Sequence, residues 1–218
     1  MTPFVRPLVL LTALAVFALA TASRGFAQQP AEPDLSAILA KLAADPTTPN
    51  EYSAAVKLHV HLRVFPWISV TLNGNQAYKR PGLYHFVFRG VPRAAERFHD
   101  LNYDLGNPQT WPAKYDISLL TPASATVEPV VRLVPKKRGL VKNLDVTIDP
   151  VKGHIDKAVW NRFDGGVISL VNHYNAVGSK ELVAEQQASI NVPHMRADLD
   201  AEYSEFSVGA ASTATKTP

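Results

Sequence analysis

One segment, residues 53–64, alternates apolar and polar side chains without a break. Its apolar positions are Val56, Leu58, Val60, Leu62 and Val64, and its charged or polar positions are Lys57, His59, His61 and Arg63. A period of two predicts a β-strand with one apolar face and one hydrated face. At about 3.3 Å per residue the strand would run roughly 40 Å. Because this is about twice the usual length, it favours a large, strongly bent antiparallel sheet.

Further strands follow along the chain, separated by turn-forming residues. We predict them at residues 68–72, 84–88, 115–120, 127–134, 144–149, 155–163, 167–174, 181–192 and 195–208. Asn73-Gly74 is read as a hairpin turn. The apolar phase of the last strand shifts after Tyr203, which predicts a β-bulge there. About ten strands in meander order have to curl into a barrel or half-barrel.

One short helix is predicted before the first strand. Asp34 is a suitable N-cap, and Leu35, Ile38, Leu39 and Leu42 follow at helical spacing. The turn-rich residues 45–50 end the helix after about ten residues. Such a short helix has to lay its apolar stripe on something, and the nearest apolar surface in sequence is the even face of the following strand. Residues 91–111 break the alternation, and we expect an insertion there, with a helical turn at 92–101, that caps or borders the sheet.

The N-terminus has the features of a secretory signal. Residues 1–27 contain Arg6, an apolar run at 8–20, and small-residue exits at 20–22 and 25–27. An uncleaved anchor is the alternative, because residues 7–23 are uncharged and reach the lower end of spanning length. We expect cleavage, export to the periplasm, a single domain over residues 28–208, and a disordered tail at 209–218.

Charge and cysteine content exclude several function classes. The chain has 22 Lys and Arg against 19 Asp and Glu, and removal of residues 1–27 leaves 20 against 19. No basic stripe with interleaved aromatics supports a nucleic-acid partner, and the triplet Lys136-Lys137-Arg138 is read as a solvated turn. The absence of cysteine excludes disulfides, thiolate metal sites and a cysteine nucleophile. We expect a monomer.

Several of these segments occur in a recognisable order. They are the leader, the helix running into residues 52–64, Tyr78-Lys79-Arg80-Pro81-Gly82, residues 131–136, Val146-Thr147-Ile148-Asp149, residues 155–163, and Asp164-Gly165-Gly166. Over residues 34–208 this order resembles the periplasmic lipoprotein carrier family of the LolA type, with the related outer-membrane lipoprotein-sorting proteins. The fold class that the resemblance implies is α+β, mostly β: an unclosed antiparallel half-barrel, with the N-terminal helix and the insertion as a lid.

The resemblance also implies a site. An apolar cavity for acyl chains would be lined by Val60, Leu62, Ile68, Val70 and Leu72, and covered by Leu35, Ile38, Leu39 and Leu42. Carriers of this family latch the lid with an arginine, for which Arg63 and Arg80 are the nearest candidates. The implied partners are lipid or lipoprotein acyl chains and membrane-associated donor or acceptor proteins, with no cofactor.

Two polar clusters allow other interpretations. His59 and His61 share a strand face at a spacing found in metal sites, but no carboxylate or third histidine is near them in sequence, so we read them as an ordinary polar face. Asp198, Asp200 and Glu202 form an acidic face that we expect to be solvated and to blunt a sheet edge, in preference to binding calcium.

Three functions follow from these observations. The first is a non-enzymatic periplasmic carrier or binding protein for lipoprotein acyl chains or other lipids. The second is an envelope sensor or interaction module that uses the same half-barrel. The third is a metal-dependent hydrolase on a β-scaffold, which the absence of the Gly-x-Ser-x-Gly and His-Glu-x-x-His motifs makes the weakest of the three.

Overall fold

The computed structural model describes residues 34–44, 48–64, 67–80, 83–89, 105, 107–121 and 127–209. The helices are α1 (Leu35–Ala44) and α2 (Trp111–Lys114), the second preceded by a 3-10 turn at Pro108–Thr110. The strands are β1 (Glu51–Leu62), β2 (Ser69–Lys79), β3 (Leu83–Arg89), β4 (Tyr115–Thr121), β5 (Val130–Pro135), β6 (Val141–Asp149), β7 (His154–Arg162), β8 (Val167–Val177), β9 (Lys180–Val192) and β10 (Met195–Val208).

The strands form one antiparallel sheet whose two edges do not pair in the described part of the chain. The order across the sheet is β3-β2-β1-β10-β9-β8-β7-β6-β5-β4. The predicted meander is therefore interrupted once, because β3 and β4 follow each other in the chain but lie at opposite edges. The predicted mostly β, unclosed half-barrel is confirmed.

The N-terminal cap and the predicted bulge are both present. The Asp34 carboxylate accepts hydrogen bonds from the backbone N–H of Ser36 and, at 2.8 Å, from its hydroxyl, which hold the pKa of Asp34 below its usual value. In β10 the partner of β1 jumps from Ser207 to Ser204, and Glu205 has a φ of 52°. This extra residue restores the inward direction of Phe206 after the phase shift that follows Tyr203.

The expected hairpin turn at Asn73-Gly74 is wrong, because β2 runs straight through both residues. The role of the glycine is to make room for a ring from the neighbouring strand. A Cβ on Gly74 would lie 2.7 Å from Cδ1 of Phe88 and 2.3 Å from the carbonyl oxygen of Val87. A side chain at this position would therefore collide with β3.

We expected the acidic face of β10 to blunt a sheet edge. This expectation is wrong, because β10 lies in the middle of the sheet between β1 and β9. Its carboxylates face the basic positions of β1. Asp198 is 3.0 Å from Nε of Arg63, Glu202 is 3.5 Å from Nζ of Lys57, and Asp200 lies opposite His59. The two polar faces therefore complement each other across one strand pair.

The main core fills one half of the concave side of the sheet. Ile38 and Leu42 of α1 belong to it together with the fully buried Trp111, and its sheet residues come mainly from β5 to β10. Of β1 only Leu62 joins this core, as a partly buried member. The expectation that α1 lies along the even face of β1 is therefore met only at the end of that strand.

Several expectations concern residues outside the described part of the chain. These are the leader at residues 1–27, the helical turn at 92–101, and all but the first residue of the tail at 209–218. Among the residues that are described, no helix is both long enough and apolar enough to cross a bilayer.

Candidate functional site

The other half of the concave side holds a cavity of about 650 Å³. Its described wall is built from β1, β2 and β3 on one side and from β7 to β10 on the other, with the end of α1 and residues 105–109 completing it. This volume lies in the range of small-molecule sites, about 300–1,000 Å³. The concave side therefore carries both a packed core and a ligand-sized hollow, and the two share Trp160, Ile168 and Ile190.

The floor of the cavity is apolar. Its aliphatic and indole side chains are Leu58, Trp160, Ile168, Leu170, Ile190 and Leu199. Neighbouring strands align them in rows: Ala188 of β9 lies opposite Leu170 on one side and Leu199 on the other. The small side chain of Ala188 leaves space between the two leucines, so the floor can take an extended hydrocarbon.

Six aromatic rings form a continuous file, and all but Phe206 line one side of the cavity. In spatial order they are Phe206, Tyr52, Tyr78, Tyr84, Phe86 and Phe88, with centroid separations of 6.4, 5.0, 4.8, 6.5 and 6.1 Å. Tyr52 and Tyr78 are buried, whereas Tyr84 and Phe86 on the edge strand are 43% and 38% exposed. The aromatic file therefore leads from the buried end of the wall to the rim.

A hydrogen-bonded polar belt crosses the opposite wall. The Tyr203 hydroxyl donates to Oε1 of Gln186 at 3.3 Å, and Nε2 of Gln186 donates to Oδ1 of Asn172 at 2.9 Å. Asn172 and Tyr174 then both donate to the carbonyl oxygen of Ile155, at 2.7 and 2.9 Å. We call Tyr203, Gln186, Asn172 and Tyr174 the polar belt; all four line the cavity.

The phenols at the head of the cavity stay neutral. Burial raises the pKa of Tyr203 well above its usual value, and burial, together with the nearby Tyr203 and Tyr78, does the same for Tyr52. Both hydroxyls therefore remain uncharged hydrogen-bonding groups at neutral pH. They can donate hydrogen bonds to the polar group of a ligand or accept them from it.

The belt ends at a buried histidine beside the end of α1. The His154 ring stacks on Tyr174 with centroids 4.2 Å apart, and its Nδ1 lies 3.5 Å from Oε2 of Glu181. Lys152 donates to the other Glu181 oxygen at 2.9 Å. Between them Gly153, with a φ of +77°, lies so close to α1 that a Cβ would be 3.2 Å from the carbonyl oxygen of Lys41. This turn fixes the end of α1 against the cavity wall.

The structure places the predicted cavity and lid residues in three groups. Leu42 lines the cavity, while Ile38, Val60 and Leu72 are buried. The half-buried ones are Leu35, Leu39, Leu62, Ile68 and Val70. The described wall takes Val56 and Leu58 from β1 instead of the later residues of that strand. The role of the predicted residues in ligand binding stays a prediction.

The two arginine candidates lie in different places. Arg80 lines the cavity, and one of its Nη atoms donates to the carbonyl oxygen of Thr48 at 2.7 Å. Arg63 directly follows β1, where it contacts Asp198 and donates to the Ser189 hydroxyl at 3.1 Å. Only Arg80 is therefore near the cavity and the segment that follows α1.

Sequence reasoning missed the aromatic file and the polar belt. The file had a signal, because Tyr84, Phe86 and Phe88 are spaced by two residues and so share one strand face. The polar belt had a weaker signal. Gln186 and Asn172 occupy inward-facing positions of strands whose other inward-facing residues are mostly apolar. A polar residue in an apolar phase indicates either a buried hydrogen bond or a ligand contact.

The two histidines of β1 make no metal site in the described structure. Nδ1 of His59 is 2.8 Å from the Thr71 hydroxyl of the neighbouring strand. Across the described residues, no three His, Cys, Asp or Glu side chains are grouped so that they could hold a metal ion. His61 is exposed and His59 half-buried, and the polar-face interpretation of the two stays a prediction.

One carboxyl outside the cavity has an unusual environment. Partial burial, together with the nearby Glu128 and Asp149, raises the pKa of Asp156 to about 6. The folded state holds this proton more tightly than the unfolded chain. The stability that protonated Asp156 contributes is therefore fully present below pH about 4 and is lost as the pH rises through 6. At neutral pH the ionised Asp156 therefore destabilises the fold.

We accordingly expect Asp156→Asn to stabilise the protein by about 1 kcal/mol at pH 7.5 and to leave stability nearly unchanged at pH 4. The full difference from the ordinary pKa would be worth at most about 3 kcal/mol, and solvent screening at this half-buried site reduces it. Urea unfolding at the two pH values measures the effect. Asp116→Asn, at an exposed carboxylate, is the control; a gain of equal size there, or one independent of pH, would contradict the assignment.

The sequence matches no family model. Nor does a search of curated proteins find a match.

Solved structures provide the comparison. The fold is similar to that of a DUF1329 family protein from Desulfovibrio piger, with a TM-score of 0.58 at 10% identity, covering 84% of this chain and 95% of that one. It is similar to a putative outer membrane lipoprotein-sorting protein domain from Vibrio parahaemolyticus, with a TM-score of 0.55 at 11% identity and coverage of 80% and 92%. A LolA superfamily protein from Nitrosomonas europaea gives a TM-score of 0.50 at 10% identity, with coverage of 81% and 94%. The chain therefore has a LolA-like fold.

Proposed function

We propose that this protein is a periplasmic, non-enzymatic carrier or binding protein for an amphiphilic lipid, such as the acyl chains of a lipoprotein. The observation that carries the proposal is the cavity of about 650 Å³, with its apolar floor next to the polar belt. The likeness to a structure named as a lipoprotein-sorting domain supports it, and so does the secretory signal predicted at residues 1–27.

The hydrocarbon of such a ligand would lie along the floor. Each methylene that leaves water gains about 0.8 kcal/mol, so an acyl chain of about twelve carbons gains roughly 10 kcal/mol before the costs of association are subtracted. Those costs are about 4–15 kcal/mol. The net gain from the hydrocarbon is therefore at most about 6 kcal/mol, which is small enough to permit release.

Helix α1 would act as a fixed wall of this site. Ile38 and Leu42 are 3% and 6% exposed and belong to the main core, so removing the helix would expose two large apolar side chains at about 1.5–3 kcal/mol each. The cavity exists with the helix in place. The ligand therefore does not need to displace α1. A lid, as the sequence led us to expect, would instead have to move when the ligand enters.

The test is ligand recovery and probe displacement on the purified full chain. Small molecules extracted from the protein are identified by mass spectrometry, and a fluorescent apolar probe, N-phenyl-1-naphthylamine, is titrated into the extracted protein. We expect lipid in the extract, saturable binding of one probe per chain, and displacement by lysophospholipid. Failure of the probe to bind, with no lipid in the extract, would contradict the proposal.

The polar belt is expected to recognise the polar group of the ligand. Gln186→Leu removes the side chain that the two belt hydrogen bonds orient, and one hydrogen bond from that side chain to the ligand would be worth about 0.5–1.5 kcal/mol. We expect lysophospholipid affinity to fall by about fivefold to tenfold, while the affinity for the apolar probe stays the same. Gln187→Leu, at the exposed neighbouring position on the other face, should change neither. A parallel loss of both ligands in Gln186→Leu would show that the belt supports the fold and not the polar group.

A further inference from the structure

The turn between β5 and β6 concentrates positive charge. Residues 133–144 contain no Asp or Glu. Their cations, all exposed, are Lys136, Lys137, Arg138 and Lys142. Lys136 is tied back to the protein, since its Nζ donates to the carbonyl oxygen of Pro112 at 2.7 Å and lies 4.0 Å from Asp116. The other three cations form no ion pair with any residue that the structure describes.

Apolar side chains are exposed beside these cations. Leu140 and Phe163 are 67% and 59% exposed. The backbone N–H of Phe163 donates to the carbonyl oxygen of Leu140 at 3.1 Å, so the two residues lie side by side, just before β6 begins and just after β7 ends. The guanidinium carbon of Arg138 is 5.9 Å from the centroid of the Phe163 ring. We call Lys137, Arg138, Leu140, Lys142 and Phe163 the basic–apolar tip.

The carboxylate of the β7–β8 turn does not offset the charge of the tip. Asp164 accepts a hydrogen bond from Nη2 of Arg162 at 2.6 Å and one from the backbone N–H of Gly166 at 2.9 Å, and these contacts hold its pKa below the usual value. Its negative charge is therefore balanced by Arg162. Both turns also stand clear of the rest of the described chain, because a Cβ on Gly139 or Gly165 would have no neighbouring atom within 4 Å.

The opposite end of the sheet has an exposed turn of a different kind. In an antiparallel sheet the β6–β7 turn lies at that end, and its Val151 is 77% exposed. The acidic side chains of Asp149, Asp156 and Glu128 are grouped beside it, and Lys152 is ion-paired. An exposed apolar residue in a turn is common on protein surfaces. The combination of exposed apolar residues with uncompensated cations is what distinguishes the tip.

We propose that the basic–apolar tip docks on the surface of a bilayer that contains anionic phospholipid. Each Lys or Arg near such a surface strengthens binding roughly fivefold. Phenylalanine and leucine enter the boundary between headgroups and acyl chains, where their apolar area leaves water. Leu140 and Phe163 can do so without disturbing the strands, because they lie beyond the ends of β6 and β7.

The charge and the shape of the tip select this occupant over two others. A second copy of this chain would bring two sets of uncompensated cations together. An acidic protein would match the charge, but it would need a pocket shaped for the Leu140 and Phe163 side chains, which stand at the ends of two turns. A fluid lipid boundary accepts them without a preformed pocket.

The docking surface is independent of the proposed lipid site. No residue of the tip is among the described residues of the cavity wall. That wall includes Gly153 of the β6–β7 turn, at the other end of the sheet. Vesicle binding and probe binding therefore report on different parts of the molecule.

Co-sedimentation of the full chain with vesicles tests the proposal. We expect binding to phosphatidylcholine vesicles that contain phosphatidylglycerol, at least about tenfold weaker binding to phosphatidylcholine alone, and a decrease as salt is raised. The triple variant Lys137→Gln, Arg138→Gln and Lys142→Gln should bind the anionic vesicles at least about thirtyfold more weakly, since three roughly fivefold contributions are lost. It should bind the apolar probe like the unaltered protein.

The matched control removes the same charge from exposed cations outside the tip. It combines Lys41→Gln, Arg89→Gln and Lys157→Gln, and its vesicle binding should stay within about twofold of that of the unaltered protein. Equal losses in the two triple variants would overturn the proposal, and so would the absence of vesicle binding by the unaltered protein.

A second pair of variants tests the apolar part of the tip without changing the charge. Leu140→Ser with Phe163→Ser should weaken binding to the anionic vesicles at least about tenfold, because both side chains lose their apolar burial in lipid. Val127→Ser with Val151→Ser, at exposed valines of the opposite end, should have no effect.

Normal vesicle binding by the Leu140→Ser, Phe163→Ser protein would overturn the proposal, because attraction by charge alone is not docking in the lipid boundary. A dimer that this variant abolishes, with vesicle binding unchanged, would assign the tip to a second copy instead. Loss of probe binding in every protein, with the expected vesicle results, would contradict the cavity and support the tip.

Discussion

Ala188→Trp is expected to lower the affinity for the apolar probe and for lysophospholipid by at least about a hundredfold. Ala188 is at the centre of the cavity floor, with Leu170 and Leu199 on the two neighbouring strands. An indole there would fill the space between the leucines and occupy the path of the hydrocarbon. Loss of about four methylene contacts, at about 0.8 kcal/mol each, is enough for the expected decrease.

The fold should tolerate this change because the indole points into an existing hollow and not into the main core. Ala188 is half-buried and lines the cavity, so overpacking of the kind that costs about 1–3 kcal/mol in a filled core does not arise. Urea unfolding should give a midpoint close to that of the unaltered protein. The expected loss of affinity depends only on the volume that the indole occupies.

Gln187→Trp is the matched control, since it introduces the same side chain one residue earlier on the exposed face of β9. It should bind both ligands normally. Isothermal titration with lysophospholipid and fluorescence titration with the probe measure the two variants side by side. Retained affinity in a folded Ala188→Trp protein would show that the ligand binds elsewhere, and the cavity would then lose its proposed role.

Sequence reasoning succeeded where the determining interactions are local or periodic. The alternation around Val60 requires a strand, the spacing from Leu35 to Leu42 requires a helix, and a turn near Arg80 follows from proline and glycine. The β-bulge after Tyr203 was also visible, because a change of phase within one strand has few other causes. These features depend on backbone geometry over a few residues.

The errors concern interactions between strands that are distant in sequence. Asn73-Gly74 has the composition of a hairpin turn, but the Phe88 ring on the next strand requires a residue without a side chain at Gly74. The acidic face of β10 looked suitable for an edge strand. In the structure β10 pairs with β1, so the last strand of the chain lies beside the first. Neither fact can be derived from the local pattern.

The position of the cavity could not be predicted for the same reason. Val60 and Leu58 have equivalent positions in the alternation, but only Leu58 belongs to the described wall of the cavity, while Val60 is 1% exposed. What separates them is how segments distant in sequence pack around each position. Sequence periodicity identifies the inner face of a sheet, and only the packing shows which part of that face is filled.

Trp111 is the residue on which the filled half depends most, and we expect Trp111→Ala to lower the free energy of unfolding by about 3–5 kcal/mol. Its side chain is fully buried in the main core beside Ile38 and Leu42. Its indole Nε1 also donates to the carbonyl oxygen of Leu105 at 2.8 Å. The substitution therefore leaves both a large void and an unsatisfied carbonyl.

Two further variants separate these contributions. Trp111→Phe keeps most of the apolar volume and loses the hydrogen bond, so a loss of about 1–2 kcal/mol is expected. Trp67→Ala removes the same side chain from a position that is 74% exposed and should cost less than about 0.5 kcal/mol. Urea unfolding followed by far-ultraviolet circular dichroism measures all three. Similar losses for Trp111→Ala and Trp67→Ala would contradict the assignment of Trp111 to the core, and with it the division of the concave side into a filled half and an open half.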